Sequence, residues 1–259
     1  MFYREYPPNP VLAAHVECLW VARAPVLAAG RVHTHRVLPD NCIDILWQDG
    51  GGPGFAVGMM SGAIQVVSAR PVQTVAVRFK PGAAGLFLDL PLHALTDQRA
   101  DIDQLWGRSD ADRLADALWS DDLPDRARLN LIEAELMRRL RASLQDGTAR
   151  GAGAALVGHA LAAIDSSGGA VRIEQLAVSL GVSRQHFAAQ FRQRVGLTPK
   201  LYARISRFRR AAAMLRRPGS SGADWAQLAL ECGYFDQSHL IHDFQEFAGS
   251  APERFLLAA

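Results

Sequence analysis

The sequence predicts an α+β protein with a β-rich, barrel-like or sandwich-like N-terminal domain, followed by helices and then an all-helical domain. Three observations support this prediction. In the first hundred residues, short apolar runs alternate with turn residues, which is typical of strands. From about Asp101 onward, apolar residues recur every three or four positions, as on one face of an α-helix. The length of 259 residues is enough for two domains of ordinary size.

Five apolar runs are the predicted strands of the N-terminal domain. They are His15–Val21, Arg31–Leu38, Cys42–Trp47, Ala56–Met60 and Val72–Lys80. The glycine-rich segment Gln48–Gly54 predicts a tight connection between two of them, because glycine adopts positive φ angles easily. Strands at such short spacing favour a small barrel or sandwich, which we assign to residues 1–108.

A helical segment is predicted next, at residues 109–146. Short helices are expected at Asp101–Trp106 and Asp110–Trp119, and a longer one at Asp125–Leu144. The longer helix carries an apolar stripe of Leu129, Ile132, Leu136 and Leu140. The stripe can pack on its own β-domain or against a second copy of the chain, and the sequence leaves both open. The small, polar segment Gln145–Gly153 predicts a linker, set at 147–154, before a helical domain at 155–259.

Residues 173–191 have the pattern of a helix-turn-helix motif. Gly181 falls in the predicted turn, where a positive φ is favoured, and Ser183 is a suitable N-cap for the second helix. The pattern occurs again 52 or 53 residues later, which indicates two copies of one unit. The matched pairs are Ala177 and Ala229, Gly181 and Gly233, Phe187 and Leu240, Phe191 and Phe244, Pro199 and Pro252, and Tyr202 and Phe255.

A single helix, Thr198–Arg216, is predicted to join the two units. At about 1.5 Å per residue it is roughly 28 Å long, comparable to the spacing of about 34 Å between successive major-groove faces of DNA. Although the net charge of the chain is only +2, residues 175–223 contain ten Lys and Arg and no Asp or Glu. Such a concentration of positive charge favours a polyanionic partner.

These residues resemble the C-terminal DNA-binding domain of AraC/XylS-type transcription regulators. The resemblance covers residues 155–259 and rests on LAVSLGVSRQHFAAQFRQRVGLTPKLY and LALECGYFDQSHLIHDFQEFAGSAPERF. Through VLPDNCIDILW and VAVRFKPGAAGLF, the N-terminal part resembles a domain of unknown function attached to some of these regulators. The resemblance implies a sequence-specific, DNA-binding transcription regulator with no catalytic residues and no cofactor.

Carried over position by position, the resemblance assigns base contacts to one face of each recognition helix. These residues are Arg184, Gln185, Ala188 and Ala189 in the first unit, and Gln237, Ser238, His239 and His242 in the second. Arginine pairs well with guanine and glutamine with adenine, whereas the two alanines form no hydrogen bonds. Phosphate contacts are expected from Arg192, Arg194, Lys200, Arg204 and Arg207.

Two features of the N-terminal domain suggest small-molecule chemistry. Candidate effector-binding residues are Trp20, Trp47, Phe55 and Arg78, although core packing explains the aromatic residues equally well. His33 and His35 form a His-x-His pair like the metal ligands of cupin enzymes, because alternate residues of a strand share one face. The downstream Glu and His of a cupin site are missing, so we predict no metal.

The expected partners are double-stranded DNA, an unidentified small-molecule effector and a second copy of the chain, with RNA polymerase as a further candidate. Two alternatives stay open: a metal-dependent, cupin-like enzyme with a helical appendage, and a DNA-binding protein that responds to no ligand.

Three widely spaced cysteines predict free thiols in a reducing cytoplasm. The longest charge-free run, Gly50–Ala69, is interrupted by glycines and a proline, so no membrane span is expected.

Overall fold

The computed structural model describes residues 2–25, 32–145, 152–216 and 224–257. Within these ranges the first 101 residues contain eight strands, so the predicted β-rich N-terminal region is confirmed. The strands are β1 (Phe2–Tyr6), β2 (Val16–Arg23), β3 (His33–Val37), β4 (Ile43–Gln48), β5 (Phe55–Val57), β6 (Ile64–Ser68), β7 (Gln73–Phe79) and β8 (Arg99–Asp101).

Six of the strands form one antiparallel sheet, in the order β1-β2-β7-β4-β5-β8. The other two, β3 and β6, pair with each other in a separate ribbon. The five predicted runs correspond to β2, β3, β4, β5 and β7, with shifted ends. The sequence did not predict β1, β6 and β8. The strands β1 and β6 are largely exposed, and β8 has only three residues, so none of them is marked by an apolar run between turn residues.

Three helices follow the strands: α1 (Ile102–Trp106), α2 (Arg108–Trp119) and α3 (Asp125–Gln145). They agree with the three predicted helices to within two residues at each end. All four residues of the apolar stripe of α3 are buried within a single protomer, and α3 packs against β7 and α2. In this structure the stripe of α3 therefore packs on its own domain, which is the first of the two alternatives left open by the sequence.

The six-stranded sheet has two different faces, because successive side chains of a strand point to opposite sides. One face belongs to the main core. Trp47 of β4 lies there, fully buried, with its ring centroid 6.0 Å from that of Trp106 in α1. The other face carries a smaller apolar cluster of Cys18, Trp20, Ala22 and Ala76.

All three cysteines are buried and unpaired, as the sequence predicts. Burial raises the pKa of Cys18 to about 12 and also raises the pKa of Cys42 and Cys232. The thiols therefore remain protonated at neutral pH and are poor nucleophiles.

The C-terminal part of the described chain is helical. Its helices are α4 (Ala152–Ser166), α5 (Ile173–Ser179), α6 (Arg184–Val195), α7 (Pro199–Leu215), α8 (Trp225–Glu231), α9 (Gln237–Ala248) and α10 (Pro252–Leu257). The predicted linker is largely outside the described residues, which resume at the start of α4. Taking the described helices together, none combines the length and the apolar character that crossing a membrane requires.

Direct hydrogen bonds join the two parts of the chain. Thr96 donates its hydroxyl to the carbonyl oxygen of Gly196 at 2.9 Å, and Arg36 donates to the carbonyl oxygen of Ala248 at 3.0 Å. A short 3₁₀ helix at Leu92–Leu95 packs against α6. The N-terminal domain therefore contacts both helix-turn-helix units.

The internal packing of α3 predicts that Leu136→Asp unfolds the N-terminal domain. An unpaired carboxylate in the position of a fully buried leucine should lower the free energy of unfolding by roughly 3–5 kcal/mol. Urea unfolding measures the loss, and Leu144→Asp is the control, because Leu144 lies on the same helix and is 45% exposed. If Leu136→Asp instead produced a stable, folded monomer from a dimer, the stripe would pair two protomers.

Candidate functional site

The first helix-turn-helix unit consists of α5, a turn and α6. Gly181 in the turn has φ +69°, which glycine adopts without strain. Ser183 accepts a hydrogen bond from the backbone N–H of His186 at 3.2 Å and so caps α6. Phe187 and Phe191 are buried and fix the inner face of α6. On the outer face, Arg184, Gln185 and Ala189 are exposed and Ala188 is half-buried.

The second unit repeats this construction with α8 and α9. Gly233 has φ +79°, and Asp236 accepts a hydrogen bond from the backbone N–H of His239 at 2.8 Å. Leu240 and Phe244 are buried on the inner face of α9. The four predicted base-contacting residues of this unit, Gln237, Ser238, His239 and His242, are all exposed.

The connecting helix α7 holds the two units together. It has 17 residues, which corresponds to about 26 Å, and the side chain of Thr198 caps its start. Phe191 of α6 packs edge-to-face on Tyr202 near the start of α7, with ring centroids 5.5 Å apart. Phe208, in the middle of α7, packs on Phe244 of α9 at 5.0 Å. The two recognition helices are therefore attached to one helix, at residues about 9 Å apart along its axis.

The five predicted phosphate contacts fall into two groups. Arg192 and Lys200 are exposed, and Arg194 is half-buried at the end of α6. Arg204 donates to Asp243 and to Glu246, in both cases at 2.6 Å, and its guanidinium lies over the ring of Phe247. These contacts tie α7 to α9 and engage the Arg204 guanidinium within the domain.

Arg207 also has an internal role. It donates to the carbonyl oxygen of Gly169 at 2.8 Å, and its guanidinium lies 5.3 Å from the centroid of the Tyr234 ring. In this structure the guanidinium groups of Arg204 and Arg207 therefore stabilise the domain, and their contacts with phosphate stay a prediction. Sequence reasoning missed these roles because the partners lie tens of residues away along the chain.

A shallow cleft of about 300 Å³ separates the N-terminal domain from α6. Pro91 and His93 line one side, and Ala189, Arg192 and Gln193 line the other. Two residues predicted to contact DNA therefore lie beside the N-terminal domain.

The His-x-His pair lies on the ribbon of β3 and β6. In the antiparallel register His33 is opposite Ser68 and His35 is opposite Val66, so neither has an acidic neighbour across the ribbon. Among the described residues, the one group of three close potential metal ligands is His242, Asp243 and Glu246. Its two carboxylates already bind Arg204.

Three of the four candidate effector residues share one face of the six-stranded sheet. Trp20 pairs with Ala76, Ala76 with Leu46, and Leu46 with Phe55, which forms a row across four strands. Arg78 lies two residues beyond Ala76 on the same face. Trp47 does not join them, because it lies on the opposite face, in the core.

Arg78 forms the polar centre of this face. Its Nε and Nη2 atoms donate to the carboxylate of Asp44 at 3.0 and 2.9 Å, and Nη2 lies 3.1 Å from Asp40. Burial raises the pKa of Asp44 to about 6 although Arg78 favours its charged form. At pH 7 the pair is therefore ionised, and the carboxylate becomes protonated as the pH falls below about 6.

Comparison with known families agrees with this division of the chain. Residues 176–258 match the model of a helix-turn-helix domain, and residues 4–101 match that of a domain of unknown function, DUF6597. The C-terminal domain is an AraC-type helix-turn-helix domain. The match begins within α5 and extends past α10, so it includes both units and α7.

Solved structures similar to the chain include ToxT from Vibrio cholerae. One, from strain O395, has 10% sequence identity and a TM-score of 0.40, and the match covers 92% of this chain and 95% of that chain. Another, from strain SCE256 with bound unsaturated fatty acid, has 11% identity, a TM-score of 0.42 and coverage of 88% and 94%. No curated protein sequence matches the chain.

The exposed position of Arg184 predicts a role in base recognition by the AraC-type domain. Arg184→Ala should weaken binding to a duplex selected by the protein by about 1–3 kcal/mol, and binding to random DNA much less. Competition titrations with both duplexes measure the difference. Arg254→Ala removes another exposed arginine, in α10, and is the control for charge. An equal loss of affinity for the selected duplex and for random DNA would mean that Arg184 contacts only phosphate.

Proposed function

We propose that the protein is a sequence-specific transcription regulator that acts on DNA in the cytoplasm by binding rather than by catalysis. The observation that carries this proposal is the arrangement of α6 and α9. Both helices are capped at their N-terminal ends, expose polar side chains there, and pack on the same connecting helix, α7, which is about 26 Å long. This arrangement suits two adjacent major grooves on one side of a duplex.

The charge of the domain supports the same function. No acidic residue occurs between positions 175 and 223, whereas Arg184, Arg192 and Lys200 are exposed. Unpaired cations on one surface attract the phosphate backbone and release its counterions on binding. The three exposed side chains are the ones that we expect to contribute most to affinity for DNA of any sequence.

The salt dependence of binding tests the proposal. Affinity of the full chain for a random duplex should fall as salt rises, with a slope of about −4 in log K against log salt if four or five cations reach phosphate. Arg192→Gln should make the slope shallower by about 1, because one phosphate contact is lost. Arg204→Gln should leave the slope unchanged, because that guanidinium binds carboxylates within the domain. Binding that is absent or independent of salt would contradict the proposal.

We further propose that the sheet face around Arg78 binds the effector. Neighbouring strands are about 4.8 Å apart, so the row from Trp20 to Phe55 spans about 14 Å, the size of a small organic molecule. Ala76 and Leu46 supply an apolar floor between the two rings. Arg78 and Asp44 supply charge beside it. A ligand with a flat apolar body and one charged group suits this combination.

The loop after β3 connects this face to the DNA-binding domain. Asp40 binds Arg78 through its carboxylate and accepts a hydrogen bond from Arg209 of α7 through its carbonyl oxygen, at 2.8 Å. The neighbouring Asn41 is buried and donates its side-chain amide to Tyr202 and Ser206 of α7, at 3.2 and 3.1 Å. A ligand that competes for Arg78 would displace Asp40 and so weaken the contacts with α7.

Two further partners belong to the proposal. A second copy of the chain would use the β3–β6 ribbon, which exposes Ile64, Val66 and Val67, because the stripe of α3 is buried. RNA polymerase is the partner through which a regulator bound at a promoter acts.

Loosening the contact at Asn41 should raise the affinity of the full chain for DNA. The contact helps to hold Ala189 and Arg192 beside the N-terminal domain, so its loss should free that end of α6. We expect Asn41→Gly to strengthen binding to a selected duplex by up to about tenfold, the equivalent of one or two hydrogen bonds. Glycine is chosen because Asn41 has φ +63°.

Fluorescence anisotropy with the labelled duplex measures the change. Asn130→Ala, at an exposed position of α3, is the control and should have no effect. Weaker binding by Asn41→Gly would mean that the domain contact supports DNA binding instead of restraining it.

A further inference from the structure

Phe235 is the most exposed aromatic side chain in the described part of the chain. Its side chain is 84% exposed, and it lies one residue before Asp236, the N-cap of α9. The start of a recognition helix is the part that enters the major groove. An apolar ring therefore stands at the point where the second unit would meet base edges.

The ring of Phe235 is oriented by a residue of the base-contacting face. It packs edge-to-face against the imidazole of His239, with centroids 6.4 Å apart and an angle of 85° between the planes. His239 is exposed on the outer face of α9, beside Gln237 and Ser238. Phe235 thus extends that face beyond the end of the helix.

The helix-turn-helix fold itself does not require an aromatic residue here. The turn of the second unit is one residue longer: the backbone N–H of Val182 bonds to Ala177 and that of Tyr234 bonds to the matching Ala229, so Phe235 is the extra residue, placed between Tyr234 and the N-cap. Val182 is half-buried and packs against the core of the domain. The exposed ring is thus particular to the second unit.

We propose that Phe235 is a specificity-determining residue that contacts the 5-methyl group of a thymine in the major groove. Phenylalanine makes apolar contacts with this methyl group, which cytosine and the purines lack. The exposed carboxylate of Asp236 adjoins the ring and disfavours close approach to phosphate. A base is therefore the more favourable neighbour for the ring. This inference rests on the proposed DNA-binding function.

The test combines a protein variant with a DNA variant. A duplex is first selected from random DNA by the full chain, and each thymine in it is then replaced in turn by deoxyuridine, which lacks only the methyl group. Phe235→Ala should lose about five- to twentyfold in affinity for the selected duplex and little for random DNA. One deoxyuridine should weaken binding of the unaltered chain but not binding of Phe235→Ala, because the same contact is already missing.

Leu230→Ala is the control, since Leu230 is a 64% exposed apolar residue on α8, outside the turn and α9. It should bind both duplexes like the unaltered chain. The proposal is overturned if Phe235→Ala binds the selected duplex as tightly as the unaltered chain does, or if it loses as much affinity for random DNA as for the selected duplex. It is also overturned if each deoxyuridine weakens the binding of Phe235→Ala as much as the binding of the unaltered chain. If the unaltered chain shows no salt-dependent DNA binding, the proposed function itself fails, which is a different result.

Discussion

The arrangement of the DNA-binding domain depends on aromatic packing along α7. Phe208, fully buried in the middle of this helix, contacts the rings of Phe244, Phe247 and Phe255, while Tyr202 near its start contacts Phe191. These contacts fix each recognition helix relative to α7, and therefore relative to the other. Without them the exposed side chains of α6 and α9 would have no defined spacing, and recognition of two grooves would lose its geometric basis.

The same helix is where the N-terminal domain attaches. Asn41 bonds to Tyr202, whose ring also packs on Phe191, so a contact from the β-domain reaches the residue that seats the first recognition helix. The ion pair of Arg78 with Asp40 lies at the other end of this connection. One short loop thus joins the proposed effector face to α7, and this gives a physical route between ligand and DNA.

Much of this could be predicted from the sequence where the deciding interactions are local. The spacing of apolar residues located α3, and cap residues such as Ser183 and Thr198 located the starts of α6 and α7. The strand register depends on residues that are far apart in the sequence, so it could not be predicted. Only the pairing of β4 with β7 shows that the side chains of Trp47 and Arg78 lie on opposite faces of the sheet. Arg204 shows the same limit in the site, because its carboxylate partners Asp243 and Glu246 come from another helix.

We expect α7 to present two recognition helices to one side of a duplex. Hydroxyl-radical footprinting of the full chain on a selected duplex tests it most directly. We expect two protected segments about one helical turn, or roughly 10 base pairs, apart on the same face, and loss of one segment when 5 base pairs are inserted between them. A single protected segment, or two that tolerate the insertion, would contradict it.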